Sequence, residues 1–240
     1  MLSYQDLARF YDDVMDDPAP RASRVQRFID RHHAGASTLL ELGCGTGSIL
    51  VRLTTPVSLT GLDQSADMLA VASQKVPHAR LVQGDMSAFS LGQRFDVVVC
   101  VFDSLNHLLT FSEWEATFDA VHDHLTDDGV FLFDVNTVGE LRRLGEEPPW
   151  VYDFGENVMI MDVSRPDDTG VSLWHIQVFE HVGEDRYVLH EEQIGELGVP
   201  LSTLMTALEP KFVLLEAESD TGGPPSDDSM KAHFAYRRRP

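Results

Sequence analysis

Basic residues are scarce in this chain. Eighteen lysines and arginines stand against 39 aspartates and glutamates, a formal net charge of −21, and the basic residues form no long stripe apart from Arg237, Arg238 and Arg239. Such a surface repels a phosphate backbone, so nucleic acid is not an expected partner. Cysteine is nearly absent: Cys44 and Cys100 cannot build a disulfide scaffold, and a reducing cytoplasm is the expected compartment. No apolar run nears the ~18 residues needed to cross a bilayer, which removes the membrane as an expected partner. The first twenty residues carry Asp6, Asp12, Asp13, Asp16 and Asp17 without a basic start, so no signal peptide is expected. No internal repeat or interdomain linker interrupts the chain. His122 and His124 flank Asp123 but would face different sides of a helix, and no metal site is expected there.

What is present, over 240 residues at 43% hydrophobic content, is enough apolar material for one good-sized core. Strand-length apolar runs recur: "STLLELG", "VSLTGLD", "ARLVQGD", "FDVVVCVF" and "GVFLFDVN". Runs apolar on both faces predict a parallel sheet covered on both sides by helices. "SADMLAVASQKV" places Met68, Leu69, Ala72 and Val76 at helical spacing behind a Ser65 cap, with Pro77 closing the helix. Ser112 and Glu115 are expected to form a capping box for a later helix carrying Trp114, Phe118, Val121 and Leu125. Alternating strands and helices predict a doubly wound α/β fold. After Asn136 the pattern changes to apolar–polar alternation in "NVMIMDVSR", "VSLWHIQVFEHV" and "RYVLHEEQIGEL", joined by turns, which predicts an antiparallel insertion. "LSTLMTALE" then returns as a helix, and "KFVLLEAES" and "AHFAYRRR" close as strands. At the other end, "YQDLARFYDDVM" sets Leu7, Phe10, Tyr11 and Val14 on one helical face, which suits packing and a ligand lid equally.

The first strand ends in "LLELGCGTGSIL". Gly43, Gly45 and Gly47 give G-x-G-x-G rather than the dinucleotide G-x-G-x-x-G, and Glu41 stands beside the loop where it would repel a pyrophosphate. A carboxylate there could accept from the loop backbone or meet a cationic ligand. Asp63 closes the second strand, where a carboxylate can accept both hydroxyls of a ribose. Asp85 closes the third, placed to accept the exocyclic amine of an adenine with Met86 against the ring. Together these describe an adenosine without a phosphate.

In order and spacing, "ELGCGTG", "GLDQSADML", "QGDM" and "FDVVVCVFDSLNHL" resemble the successive motifs of class I S-adenosylmethionine-dependent methyltransferases. The resemblance implies a Rossmann-like, doubly wound seven-stranded, mostly parallel sheet whose last strand is antiparallel. It implies that the loop of Glu41, Gly43, Cys44, Gly45, Thr46 and Gly47 contacts the methionine part, Asp63 the ribose, and Asp85 with Met86 the adenine; Gln64, Met68 and Phe102 complete the expected S-adenosyl-L-methionine set. One domain over 1–240 is expected, with an N-terminal helical lid over 1–36, a cofactor-binding half over 37–136, the β insertion over 150–197 and a closing helix and strands over 198–240.

A methyl acceptor must sit beyond the fourth strand, where "VFDSLNHL" places Phe102, Asp103, Asn106 and His107 around the mouth. His107, with an ordinary pKa of ~6.5, suits removal of a proton from an ammonium or hydroxyl; a capping or packing histidine is the alternative. The "YDDVM" opening and the insertion are similar to those of small-molecule N-methyltransferases, including enzymes that dimethylate amino sugars on nucleotide carriers, and by that resemblance Tyr11 would contact cofactor or acceptor. "DSLNHL" and "LHEEQI" are also similar to stretches of uncharacterised bacterial methyltransferases of this size. His175, His181 and His190 could line an acceptor pocket or face solvent. No Asn-Pro-Pro-Tyr-type stretch follows the fourth strand, which argues against base or glutamine methylation. Asp134 and Asn136 in "FDVN" leave a catechol-type metal site open. The expectation is a small-molecule methyltransferase acting at nitrogen, with O-methylation and a nicotinamide-dependent oxidoreductase as alternatives, and a homodimer through the insertion as a possible assembly.

Overall fold

Neighbouring residues of the central strands are buried on opposite faces, and that alternation builds the molecule. Leu39, Val97, Val99, Val130 and Leu132 enter one apolar cluster, while Leu40, Leu42, Val98, Phe131 and Phe133 enter another. The computed structural model describes residues 7–54 and 58–240; residues 1–6, which open the expected lid, and Val57 of the second apolar run lie outside the described residues. In chain order the elements are α1 (Tyr11–Val14), α2 (Ala19–His32), β1 (Thr38–Leu42), β2 (Ser58–Asp63), α3 (Ala66–Lys75), β3 (Arg80–Gln83), β4 (Phe95–Cys100), α4 (Phe111–His124) and β5 (Leu125–Asn136). They continue with α5 (Val138–Leu144), β6 (Trp150–Phe154), β7 (Asn157–Val163), β8 (Val171–His181), β9 (Tyr187–Leu197), α6 (Leu201–Leu208), β10 (Phe212–Ser219) and β11 (Lys231–Arg238).

The main sheet has seven strands in the order β10-β11-β5-β4-β1-β2-β3. β1, β2, β3, β4 and β5 pair in parallel, and β11 runs against both of its neighbours. The expected doubly wound sheet with one antiparallel strand is therefore present. β6, β7, β8 and β9 form a separate four-stranded antiparallel sheet. Among the described residues no helix is long and apolar enough to cross a membrane.

Two local expectations change. The capping box of α4 is Thr110 with Glu113, not Ser112 with Glu115: the helix opens at Phe111, one residue before Ser112, so the hydroxyl that can reach the third backbone N–H belongs to Thr110. The N-terminal segment is not a single lid. α2 covers the main sheet through Val25, Phe28 and Ile29, and Leu7 and Phe10 instead pack on Met159, Ile176, Val178 and Ile194 of the small sheet. α3 starts at the Ser65 cap as expected, its hydroxyl accepting from Met68 N–H at 3.2 Å.

Candidate active site

The carboxyl ends of β1, β2 and β4 open into one cavity. Of the residues singled out from the sequence, Tyr11, Glu41, Gly43, Cys44, Gly45, Thr46, Asp63, Gln64, Met68, Asp85, Met86, Phe102 and His107 line it. Gly47 does not. A Cβ there would stand 2.6 Å from Val76 Cγ2, so this glycine lets α3 pack behind the loop. Gly45 faces the other way: its φ of +51° is left-handed, and nothing lies within 4 Å of where a Cβ would be. Bare backbone is presented to the cavity.

Two carboxylates shape the loop. Asp63 Oδ2 accepts from Gly45 N–H and Oδ1 from Ser65 N–H, each at 2.8 Å. The residue thus cross-braces the glycine turn to the end of β2 while lining the cavity, and its burial raises its pKa. Glu41 is 3% exposed. It accepts from the Leu50 backbone N–H, and burial, with the charge of Asp63 beside it, pushes its carboxyl well above the usual range. Glu41 Oε2 has no hydrogen-bond partner. A buried, partnerless carboxylate oxygen in a cavity wall fits a cationic ligand. Asp85 Oδ1 accepts from Ser87 N–H and Oγ at 2.8 and 2.7 Å, which fixes the turn after β3.

The N-terminal segment arches over this loop. Thr46 Oγ1 donates to Asp12 Oδ1 at 2.7 Å, and Asp12 is also ion-paired with Lys75 of α3. The Tyr11 ring lies 6.4 Å from that of Phe102, whose face carries the Arg21 guanidinium at 3.9 Å. Burial first, then the nearby Asp103 charge, raises the Tyr11 phenol, which stays protonated at neutral pH.

After β4 the chain makes a strained turn: Phe102 and Asp103 both have left-handed backbones, with φ of 66° and 52°. Their N–H groups donate to the two oxygens of buried Asp134, at 3.2 and 2.7 Å. The expected cluster at the mouth is therefore divided. Asp103 turns to an ion pair with Lys231 of β11. Asn106 is fully buried; its amide donates to the carbonyls of Asn136 and Leu197 at 3.0 and 2.9 Å, and its oxygen accepts from Asn136 N–H at 3.0 Å. It stitches β5 to β9 and leaves the mouth to Phe102 and His107. His107 Nδ1 donates to Gly195 C=O at 3.2 Å, so Nε2 is the accepting nitrogen, and burial lowers the ring's pKa.

The remaining candidates are engaged elsewhere. His175 is 45% exposed beside Glu191, His181 sits against Glu156, and His190 bonds Glu180 at 3.0 Å. Asp134 and Asn136 are spent on the turn and on Glu196, and among the described residues no group of three or more His, Cys, Asp or Glu could hold a metal ion. Ser48, Ile49, Ser104 and Leu108 also line the cavity. Asp134 and Lys231, which hold the turn after β4 from distant strands, and Glu196 of β9 do not line the cavity.

Comparison with known proteins is consistent with this geometry. A family profile described as "Methyltransferase domain" matches residues 39–129. A protein of Geobacillus sp. (strain WCH70) named as a methyltransferase is 29% identical over 99% of this chain and 100% of its own. The dTDP-3-amino-3,6-dideoxy-alpha-D-glucopyranose N,N-dimethyltransferase of Streptomyces fradiae is 37% identical over 54% of this chain, a match that spans about half of the relative (52%). In fold, the crystal structure of an S-adenosylmethionine-dependent methyltransferase from Clostridium acetobutylicum ATCC 824 matches with a TM-score of 0.85 at 20% identity, over 99% of both chains.

Proposed function

We infer that this chain, a class I S-adenosylmethionine-dependent methyltransferase, transfers methyl groups to the nitrogen of a small-molecule amine. The observation that carries the donor is the pair Gly45 and Glu41, an open backbone position beside a buried carboxylate oxygen without a partner. That pair suits a ligand that brings its own positive charge and no phosphate. The similarity to an amino-sugar N,N-dimethyltransferase supports nitrogen as the receiving atom.

When bound, the donor supplies a methyl group on a cationic sulfur. The residues that would hold it are the loop from Glu41 to Thr46 at the methionine part, Asp63 at the ribose, and Asp85 with Met86 at the base, with Gln64, Met68 and Phe102 around them. Asp63 has two oxygens already braced by backbone N–H groups, which fixes their remaining lone pairs in direction before any ligand arrives. Tyr11 and Phe102 cover the cavity and exclude water from the reacting end. His107 is our candidate for taking a proton from the acceptor nitrogen: burial lowers its pKa, and the Gly195 carbonyl, accepting from Nδ1, favours the tautomer with the proton on Nδ1.

The test is turnover of S-adenosylmethionine with a panel of primary and secondary amines, amino sugars included, and of phenols, read by product mass. Methylated amines support the assignment; methylation confined to oxygen overturns nitrogen as the acceptor. The small sheet exposes Val151, Tyr152, Leu173, Tyr187, Val188 and Leu189, an apolar surface that supports a homodimer through the insertion. A monomer in sedimentation at micromolar concentration would remove that assembly.

A further inference from the structure

We propose that the outer edge of the small sheet positions the base: Gly195 of β9, by having no side chain, seats the turn Ser104–His107 so that its own carbonyl keeps a proton on His107 Nδ1. The proposal rests on the reading of His107 as the base given above. β9 ends the small sheet next to β8, so its other edge is turned away from that sheet. Carbonyls two residues apart in a strand point to the same side. Those of Gly195 and Leu197 are both met by the turn after β4: His107 Nδ1–H donates to the first at 3.2 Å, and Asn106 Nδ2 donates to the second at 2.9 Å. Two successive side chains of the turn thus dock on alternate carbonyls of one sheet edge.

Gly195 is what lets the turn come this close. It pairs with Leu173 of β8 in ordinary strand geometry, so no left-handed backbone demands glycine here. Close approach does. A Cβ at this position would stand 2.8 and 3.0 Å from the two terminal carbons of Leu109 and 3.5 Å from its Cγ. Leu109 follows directly on Leu108, whose carbonyl accepts from the indole N–H of fully buried Trp114 at 2.9 Å. The backbone behind Leu109 is therefore pinned. Leu109 itself is 39% exposed, and its end carbons can yield to one methyl group, so a bulkier side chain is needed to move the turn.

A carbonyl only accepts, so Nδ1 carries the proton and Nε2 keeps its lone pair. Neutral imidazole free in water favours the opposite tautomer. The sheet edge thus selects the form in which the nitrogen remote from β9 is the one able to take a proton. Once Nε2 has taken it, the ring is charged and the bond from Nδ1–H to the carbonyl strengthens. His107 lines the cavity and Gly195 does not; Gly195 acts through His107, as a positioning residue. Asn106 ties the same turn to the Asn136 carbonyl of β5 at 3.0 Å, so the ring is placed relative to both sheets.

The tautomer can be read without an acceptor. In protein labelled with nitrogen-15 histidine and saturated with S-adenosylhomocysteine at pH 8, protonated and bare ring nitrogens resonate far apart, and His107→Gln identifies the His107 signals. The wild type should show a protonated Nδ1 and a bare Nε2. Gly195→Val keeps a strand-favouring residue on the edge and should shift His107 toward the form with the proton on Nε2. For the fastest-methylated amine of the panel above it should lower kcat at least about tenfold, part of the ~10²–10⁴ that a general base supplies, with S-adenosylhomocysteine affinity moving less than about threefold. Gly195→Val with Leu109→Ala relieves the crowding and should recover the wild-type tautomer and most of kcat, which a general folding defect would not allow. Gly195→Ala should shift both readouts in the same direction as valine but less, and serves if Gly195→Val folds poorly. A wild-type ring with its proton on Nε2, or an unchanged tautomer and kcat in folded Gly195→Val, overturns the proposal. Wild-type turnover in His107→Gln overturns the underlying reading of His107, and the positioning role of Gly195 with it, even where the tautomer is as expected.

Discussion

Glu41→Gln should have two effects of opposite sign. Glu41 is buried at the end of β1, one oxygen accepting from Leu50 N–H and the other without a partner, with Asp63 nearby. Its folded pKa stands well above the ordinary value of 4.5. The sign follows from linkage: above pH 4.5 the unfolded chain releases this proton while the folded chain keeps it, so this group's stabilisation is complete below that pH and is lost as pH rises. Glutamine has the same shape and no proton to lose. The ligand-free variant should therefore match the wild type near pH 4 and exceed it increasingly toward pH 8, by about 2–4 °C in Tm for each kcal/mol recovered. Ligand binding should move the other way. A cation at Oε2 makes a charge-assisted contact of about 1.5–3 kcal/mol, and losing it weakens S-adenosylmethionine roughly 10- to 150-fold. Because burial favours the protonated carboxyl before binding and a cation would favour the ionised one after it, the wild type should also release protons on binding. Glu41→Gln should release none. Calorimetry in buffers of different ionisation enthalpy measures this directly. Wild-type binding with no proton release, together with unchanged affinity in Glu41→Gln, would refute the assignment of Glu41 to the donor's cation.

His107→Ala should lower turnover far more than S-adenosylhomocysteine affinity; because burial lowers the ring's pKa, the wild-type rate should fall with acid only below about pH 6.5, and a variant with the same pH profile would exclude His107 as the base. Thr46→Val removes the donor to Asp12, at about 1–2 kcal/mol, and should speed S-adenosylhomocysteine dissociation up to about 30-fold in stopped flow; an unaltered rate means that this hydrogen bond does not gate the site. Asn106→Ala leaves three buried polar groups without their partner and should cost about 3 kcal/mol or more in urea unfolding; a loss below 1 kcal/mol would mean the joint between β5 and β9 is held by other contacts.

What the sequence made legible was whatever depends on neighbours along the chain. The glycine spacing of 43–47, the acid that ends each of β2 and β3, and the doubly apolar strands are all local patterns, and of the residues they singled out Glu41, Gly43, Gly45, Asp63 and Asp85 line one cavity. Gly47 lies outside the lining because a glycine motif records close approach without saying to what, and here the close neighbour is Val76. The acceptor end was less legible for a physical reason. Asp103 and Asn106 sit three residues apart in one motif, yet a left-handed turn that no sequence rule assigns to Phe-Asp sends one toward Lys231 and the other into the joint between β5 and β9. The groups that force this arrangement are Asp134 of β5, Glu196 of β9 and Lys231 of β11, brought together only by the order of strands in two sheets. The glycine loop rests on backbone geometry that a short motif encodes. The turn after β4 is held by side chains from β5, the small sheet and the closing strands, and these can change without disturbing the glycine loop. Transplanting β9 and the "DSLNHL" turn together from a relative should therefore shift acceptor preference, whereas transplanting the turn alone strands its charges and should lower activity on every acceptor.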